Sequence, residues 1–116
     1  MSVSREEQKR NRKIWVDALR SGEYKQGQYT LRQHSRGLAP PYSYKYCCLG
    51  VACKVVPGMR DTPDDGGGIG PTLNSQELQL LGMSRAQMHH LVNRNDSDKW
   101  EFPKIANAIR GMRYHD

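Results

Sequence analysis

The segment Tyr46-Cys47-Cys48-Leu49-Gly50-Val51-Ala52-Cys53 opens the most apolar stretch of this 116-residue chain. The stretch continues to Val56 and is apolar on nearly all sides, as expected of a helix or strand buried at the centre of a fold. Its apolar residues recur at helical spacing, and its many small residues let neighbouring elements approach closely. These two features favour a helix. We therefore predict a central buried helix at 47–56, ended by Pro57-Gly58.

A second helix is predicted before this segment. Ser4 followed by Glu7 is a capping-box pattern, which marks a helix N-terminus. Further along the helix, Trp15 and Leu19 belong to an apolar stripe that can pack on a core, and Gly22 provides a stop. Because residues 1–13 are polar on every side, they are expected to form a solvent-exposed N-terminal helical extension.

The rest of the chain predicts short elements. The tyrosines of the segment 42–46 recur at spacing two, which indicates a strand and, with residues 24–41, a β-hairpin. Residues 57–72 are rich in Gly and Asp and are predicted to be a flexible loop. Capping patterns and apolar spacing then predict short helices over residues 74–111. The predicted fold is α+β: a small β-hairpin or short antiparallel sheet packed against about four to five helices, in one domain, 1–116.

Composition indicates the cellular compartment. No apolar run approaches the roughly 20 residues needed to cross a bilayer, and the N-terminus lacks the apolar region of a secretory signal. Three cysteines, two of them adjacent, make a poor disulfide framework and fit reduced thiols. We therefore expect a cytoplasmic protein that does not associate with membranes.

Four segments of the chain carry a resemblance to a family. Together they resemble small, uncharacterised proteins encoded by bacteriophages and prophages, with a Y-C-C-L-G-V-x-C motif as the most specific part. The resemblance implies a phage origin, expression in the cytoplasm of the bacterial host and a shared core, but no activity. The matching segments are 15–26, 46–53, 91–96 and 102–109.

The positive charge lies in the first half of the chain. Residues 1–60 carry twelve Lys and Arg against four Asp and Glu, whereas residues 61–116 carry six against eight. A basic surface attracts anions, and interleaved tyrosines can stack on bases while arginines hold phosphates. A plain solvated basic face explains the same pattern. The candidate ligand-binding residues are Arg12, Arg20, Tyr24, Lys25, Tyr29, Arg32, Arg36, Tyr42 and Tyr44.

Three functional classes follow. The favoured one is a phage accessory protein, acting against bacterial defence, that captures an anionic small molecule such as a nucleotide signal, or a nucleic acid. The second is a protein–protein inhibitor that binds an acidic surface of a host enzyme. The third is a cysteine hydrolase. Whether the chain forms a homo-oligomer is left open.

The hydrolase hypothesis rests on residue order along the chain. Gln26 or Gln28, a cysteine, a histidine and Asn95 follow one another as in papain-like enzymes, in which histidine activates the thiol and asparagine orients the histidine. A structural role for the cysteines is the favoured interpretation. The cysteine spacing does not fit a zinc site, and no metal or cofactor is expected. The catalytic candidates are Cys47, Cys48, His89, His90 and Asn95.

Overall fold

The computed structural model describes residues 3–28, 31–34, 44–60 and 72–115, with the backbone alone for 32–34 and 44. Within these ranges the chain forms five helices and two strands. The helices are α1 (Arg5–Ser21), α2 (Cys48–Val55), α3 (Ser75–Leu81), α4 (Arg85–Asp96) and α5 (Phe102–Arg110), and the strands are β1 (Arg32–His34) and β2 (Tyr44–Tyr46).

Helices dominate the fold, and the described β structure is minimal. β1 and β2 pair antiparallel over three residues each, with Gln33 opposite Lys45. On the other side of β2, Tyr46 N donates to Lys25 O at 2.8 Å and Gly27 N donates to Tyr46 O at 2.8 Å. The helical part of the predicted α+β fold is confirmed. The β part is a short antiparallel pair, too small to stand without the helices around it.

The predicted central helix is confirmed as α2. Its residues Cys48 to Cys53 are all buried and join the main hydrophobic cluster. α1 packs against it through Trp15, whose side chain is fully buried and whose Nε1 donates to Cys48 O at 2.8 Å. Gly50 brings α2 against the backbone of Leu31, so closely that a Cβ on residue 50 would lie 1.7 Å from Leu31 O. The glycine of the octapeptide is therefore required by this close approach.

The prediction that residues 1–13 form a solvent-exposed extension is wrong for one face of α1. Gln8, Asn11 and Arg12 lie on that face, and each is at most 7% exposed. Their side chains donate hydrogen bonds to the last carbonyl groups of α3, which have no partner within the helix. The acceptors are the carbonyl groups of Gln79, Leu80 and Leu81, at 2.8, 2.8 and 2.6 Å respectively. Polar residues are buried here because they complete the C-terminal end of a neighbouring helix.

The predicted flexible loop at 57–72 lies mainly outside the described residues. At its described ends, Met59 is buried, and Arg60 Nη2 lies 2.6 Å from Glu77 Oε1 at the start of α3. Burial by itself raises the pKa of Glu77. Hydrogen bonds from the side chain of Arg60 and from the backbone of Asn74 and Arg60 outweigh burial and leave the pKa below its ordinary value. The described ends of the segment are therefore held in place.

The contact between Gly50 and Leu31 predicts that Gly50→Ala is strongly destabilising. The added methyl group would overlap a carbonyl oxygen, which can move only if α2 or the backbone of Leu31 moves. We expect the free energy of unfolding to fall by about 3 kcal/mol or more, at the upper end of overpacking effects. Urea unfolding followed by circular dichroism measures this change.

Gly111→Ala is the matched control for this prediction. A Cβ at residue 111 meets no atom closer than 3.8 Å, and the backbone there has a φ of −85°, which alanine adopts easily. Its stability should stay within about 0.5 kcal/mol of the wild type. Equal losses in the two variants would contradict the close-approach explanation.

Candidate functional site

A groove lies between α1 and α5. The two helices run antiparallel, because Arg20 near the end of α1 donates to Asn107 Oδ1 in α5, whereas Arg12 donates to Met112 O just past α5. The groove has a volume of about 480 Å³. We call it the basic groove, and its lining residues are Lys9, Arg12, Lys13, Val16, Asp17, Arg20, Ile109, Arg110 and Tyr114.

Charge in the basic groove is strongly one-sided. Five of its lining residues are Lys or Arg, and a single carboxylate, Asp17, opposes them. Lys13 Nζ lies 3.0 Å from Asp17 Oδ2, but the two side chains are 77% and 61% exposed, so water and salt weaken this ion pair. Lys9, Arg20 and Arg110 are also exposed. The exposed cations are therefore available to an anion in the groove.

Arg12, one of the predicted ligand-binding residues, lines the groove, and its guanidinium is held by contacts within the protein. Its guanidinium donates to four carbonyl groups and lies 3.9 Å from the centre of the Tyr114 ring. Burial lowers the pKa of Arg12, although an arginine still carries its proton at neutral pH. Its hydrogen bonds fix the groove wall. The acceptors are the carbonyl groups of Leu81, Gly82, Met112 and Arg113, at 2.6, 2.8, 2.7 and 3.0 Å.

The other predicted ligand-binding residues divide into two groups. Arg20 lines the basic groove, whereas neither Tyr24 nor Lys25 does. Tyr24 packs edge-on against Tyr46, with 5.8 Å between ring centres, and burial raises the pKa of Tyr24. Lys25 is exposed. Outside the described residues or side chains lie Tyr29, Arg32, Arg36, Tyr42 and Tyr44.

The structure brings together three of the residues in the hydrolase hypothesis. Asn95 is fully buried, and its Oδ1 accepts from Gln26 Nε2 at 2.9 Å and from Cys48 N at 3.3 Å. Its Nδ2 donates to Gly27 O at 2.9 Å and to Asp96 Oδ1 at 2.8 Å. The amide group thus uses both of its donor hydrogens and both lone pairs of its oxygen to join parts of the fold. None of these bonds orients a histidine.

The thiols lack the setting of a nucleophile. Cys47 caps α2, its Sγ accepting from Gly50 N at 3.4 Å, and burial raises the pKa of Cys47 to about 12. Cys48 is fully buried, its Sγ donates weakly to Leu91 O, and burial raises the pKa of Cys48 well above its ordinary value. Burial thus outweighs the stabilisation that a helix N-terminus gives a thiolate.

The histidines of the hydrolase hypothesis are also misplaced. His89 and His90 are exposed on α4, whereas Met88, Leu91 and Asn95 form the buried face of that helix. A general base must come within hydrogen-bond reach of the proton it removes, and Cys48 Sγ is already directed to Leu91 O. The geometry therefore favours the structural interpretation of the cysteines over the catalytic one.

Sequence reasoning missed one wall of the groove. Arg110 and Tyr114 come from the second half of the chain, which carries more Asp and Glu than Lys and Arg, so the charge distribution gave no reason to select them. On α1, the recurrence of Lys9, Lys13 and Arg20 at i, i+4 and i+11 was the available signal for a basic stripe. Only the packing of α5 against that stripe turns it into a groove.

Comparisons with known proteins give one match. Residues 7–63, just under half of the chain, are similar to a family described as Domain of unknown function (DUF8296). This stretch runs from α1 through α2 and includes the α1 side of the basic groove. No curated protein sequence and no solved structure matches the chain.

The described residues also bear on metal binding and membrane insertion. In the ranges that the structure describes, no group of three or more His, Cys, Asp or Glu residues is arranged to hold a metal ion. None of the described helices combines the length and the apolar character that a membrane span requires.

The burial of the thiols predicts that the native protein resists alkylation. At pH 8, iodoacetamide should leave Cys47, Cys48 and Cys53 unmodified, because it needs an accessible thiolate. After unfolding in guanidinium chloride, all three should react within the same period. Intact-mass spectrometry counts the added groups, and rapid native labelling of Cys47 or Cys48 would revive the hydrolase hypothesis.

The contacts of Arg12 predict that Arg12→Lys is destabilising even though the charge is kept. A lysine ammonium cannot reproduce the planar fork that reaches four carbonyl groups and stacks on Tyr114. We expect a loss of about 2 kcal/mol or more in the free energy of unfolding, measured by urea titration. Arg10→Lys, an exposed substitution on the same helix, is the control and should have almost no effect. A loss in both variants would contradict this role of Arg12.

Proposed function

We propose that this protein binds an anionic ligand, either a nucleotide or a nucleic acid, in the basic groove between α1 and α5. The observation that carries this proposal is a groove of about 480 Å³ lined by five cationic residues and one carboxylate. Its volume falls within the roughly 300–1,000 Å³ of ordinary ligand sites. A solvated basic face without a ligand does not require the cations to converge on a concavity.

The groove combines a part whose geometry is fixed with exposed cationic side chains. Arg12 on α1 and Tyr114 past α5 contact each other, and buried hydrogen bonds and stacking set the geometry of this part of the groove lining. The exposed side chains of Lys9, Lys13 and Arg110 can close on phosphate oxygens through charge-assisted hydrogen bonds. A preformed wall lowers the conformational cost of binding, because less of the site has to become ordered.

The biological part of the proposal rests on the resemblance to phage-encoded proteins. An anion-binding protein of this size, expressed in a bacterial cytoplasm, suits an accessory role in which it sequesters a nucleotide signal or a nucleic acid of the host's defence. The match to DUF8296 is compatible with this proposal and adds no activity to it.

Removing charge from both walls of the groove should weaken binding. In the double variant with Lys9→Gln and Arg110→Gln, two exposed cations are lost, one from each helix. We expect affinity for nucleotides or oligonucleotides to fall roughly tenfold or more, because charge-assisted contacts are worth about 1.5–3 kcal/mol each before solvent screening. Calorimetry at low salt measures the affinity, and the melting temperature should stay unchanged.

Lys54→Gln is the control for this experiment. Lys54 is an exposed lysine on α2 and does not line the groove, so the loss of its charge should leave affinity unchanged. Bound ligand should raise the melting temperature of the wild type according to RT ln(1 + [L]/Kd). If no nucleotide or oligonucleotide shifts the melting temperature or binds at low salt, the proposed function is wrong.

A further inference from the structure

The cations of the basic groove lie in a row along α1. Lys9, Lys13 and Arg20 line the same groove and are separated by four and seven residues. At a rise of 1.5 Å per residue, Lys9 and Lys13 are about 6 Å apart along the helix axis, and the whole row spans roughly 16 Å. The positive charge is therefore distributed along the groove instead of being concentrated at one point.

Arg110 lies at the level of the longest interval in this row, the one between Lys13 and Arg20. α5 runs antiparallel to α1, with Asn107 beside Arg20 and Met112 beside Arg12. Residue 110 therefore lies between those two levels, on the wall opposite α1. With Arg110 included, cations follow one another along the groove from Lys9 to Arg20 without a long gap.

A row of charges matches a linear polyanion better than a compact one. A mononucleotide carries its phosphate groups at one end and would contact one part of the row. A nucleic-acid strand carries one phosphate per nucleotide, so it can meet successive cations. At the stacked spacing of 3.4 Å per nucleotide, a row of roughly 16 Å corresponds to about five nucleotides, and to fewer if the strand is extended.

The shape of the site favours a single strand over a duplex as the ligand. A duplex is usually bound by a protruding helix or ribbon that enters its major groove, about 12 Å wide. Here the cations line a concavity between two packed helices, and the contact of Arg12 with Tyr114 fixes part of that lining. A single strand can lay its backbone along such a groove, whereas a duplex would contact it only with the phosphates on its outer surface.

We infer that the basic groove binds a single-stranded nucleic-acid segment of about three to five nucleotides, with successive phosphates at Lys9, Lys13, Arg110 and Arg20. This inference rests on the proposed function and names its ligand class. Asp17 lines the groove along which the strand would lie. Its carboxylate repels phosphate groups and forms an ion pair with Lys13 at 3.0 Å. Asp17 therefore limits the affinity.

A length series tests the inference on the full chain. Oligodeoxythymidylates of one to ten nucleotides, labelled for fluorescence anisotropy, should bind more tightly with length up to about five nucleotides and no further. With four phosphates neutralised, the logarithm of the binding constant should fall with the logarithm of salt concentration with a slope of about −3. A hairpin duplex of the same label should bind at least tenfold more weakly than the five-nucleotide strand.

A substitution at Asp17 gives a gain that a structural role would not produce. Asp17→Asn removes the opposing charge and releases Lys13, so affinity for the five-nucleotide strand should rise several-fold and should depend more steeply on salt. Glu23→Gln, an exposed acid near the end of α1 but outside the groove lining, is the matched control and should change neither quantity.

The outcomes separate this inference from the proposed function. If a mononucleotide binds as tightly as the five-nucleotide strand, with a slope shallower than about −1, the single-strand inference is overturned and anion binding stands. Equal binding of the duplex also overturns it, as does an Asp17→Asn variant that binds no better than Glu23→Gln. If no anion binds the groove, both proposals fail.

Discussion

Asn95 joins three parts of the chain from a position that water does not reach. Its amide group accepts from Gln26 and from the first turn of α2, and it donates to Gly27 and Asp96. A buried amide is costly unless its hydrogen bonds are made, so each partner is constrained to stay in place. α4 thereby fixes the N-terminus of the central helix and the segment that pairs with β2. α1 packs against this fixed helix, and α5 packs against α1 and α4.

Local signals in the sequence predicted local structure well. The capping residues Ser4 and Ser84 begin helices, Gly22 ends one, and the apolar octapeptide became the buried helix α2. Polar side chains that act over long distances along the chain were not predictable in this way. In the sequence Gln8 and Arg12 look like solvent-exposed residues. Their partners are backbone carbonyl groups, which every residue has and which no residue type indicates. The same limit made Asn95 look like a catalytic residue.

The candidate site shows the same division between local and long-range information. The charge of the first half of the chain indicated an anion-binding surface, and Arg20 lies where that surface becomes a groove. The hairpin residues predicted to share that surface lie mostly outside the described residues, whereas the basic groove is formed by α1 and the residues around the end of α5. That concavity exists because α5 packs antiparallel to α1, a tertiary contact that no local pattern encodes. Tyr24, expected to stack on a base, packs instead against Tyr46.

Arg12 also determines when the fold can be completed. Its guanidinium binds carbonyl groups 69 to 101 residues further along the chain. During synthesis Arg12 is made at least 69 residues before any of these carbonyl groups. The buried polar face of α1 therefore stays without its hydrogen-bond partners until α3 and the residues that follow α5 have been made. For the same reason the segment 7–63 that is similar to a known family does not contain the partners of its buried Arg12, because all four carbonyl acceptors lie beyond residue 80.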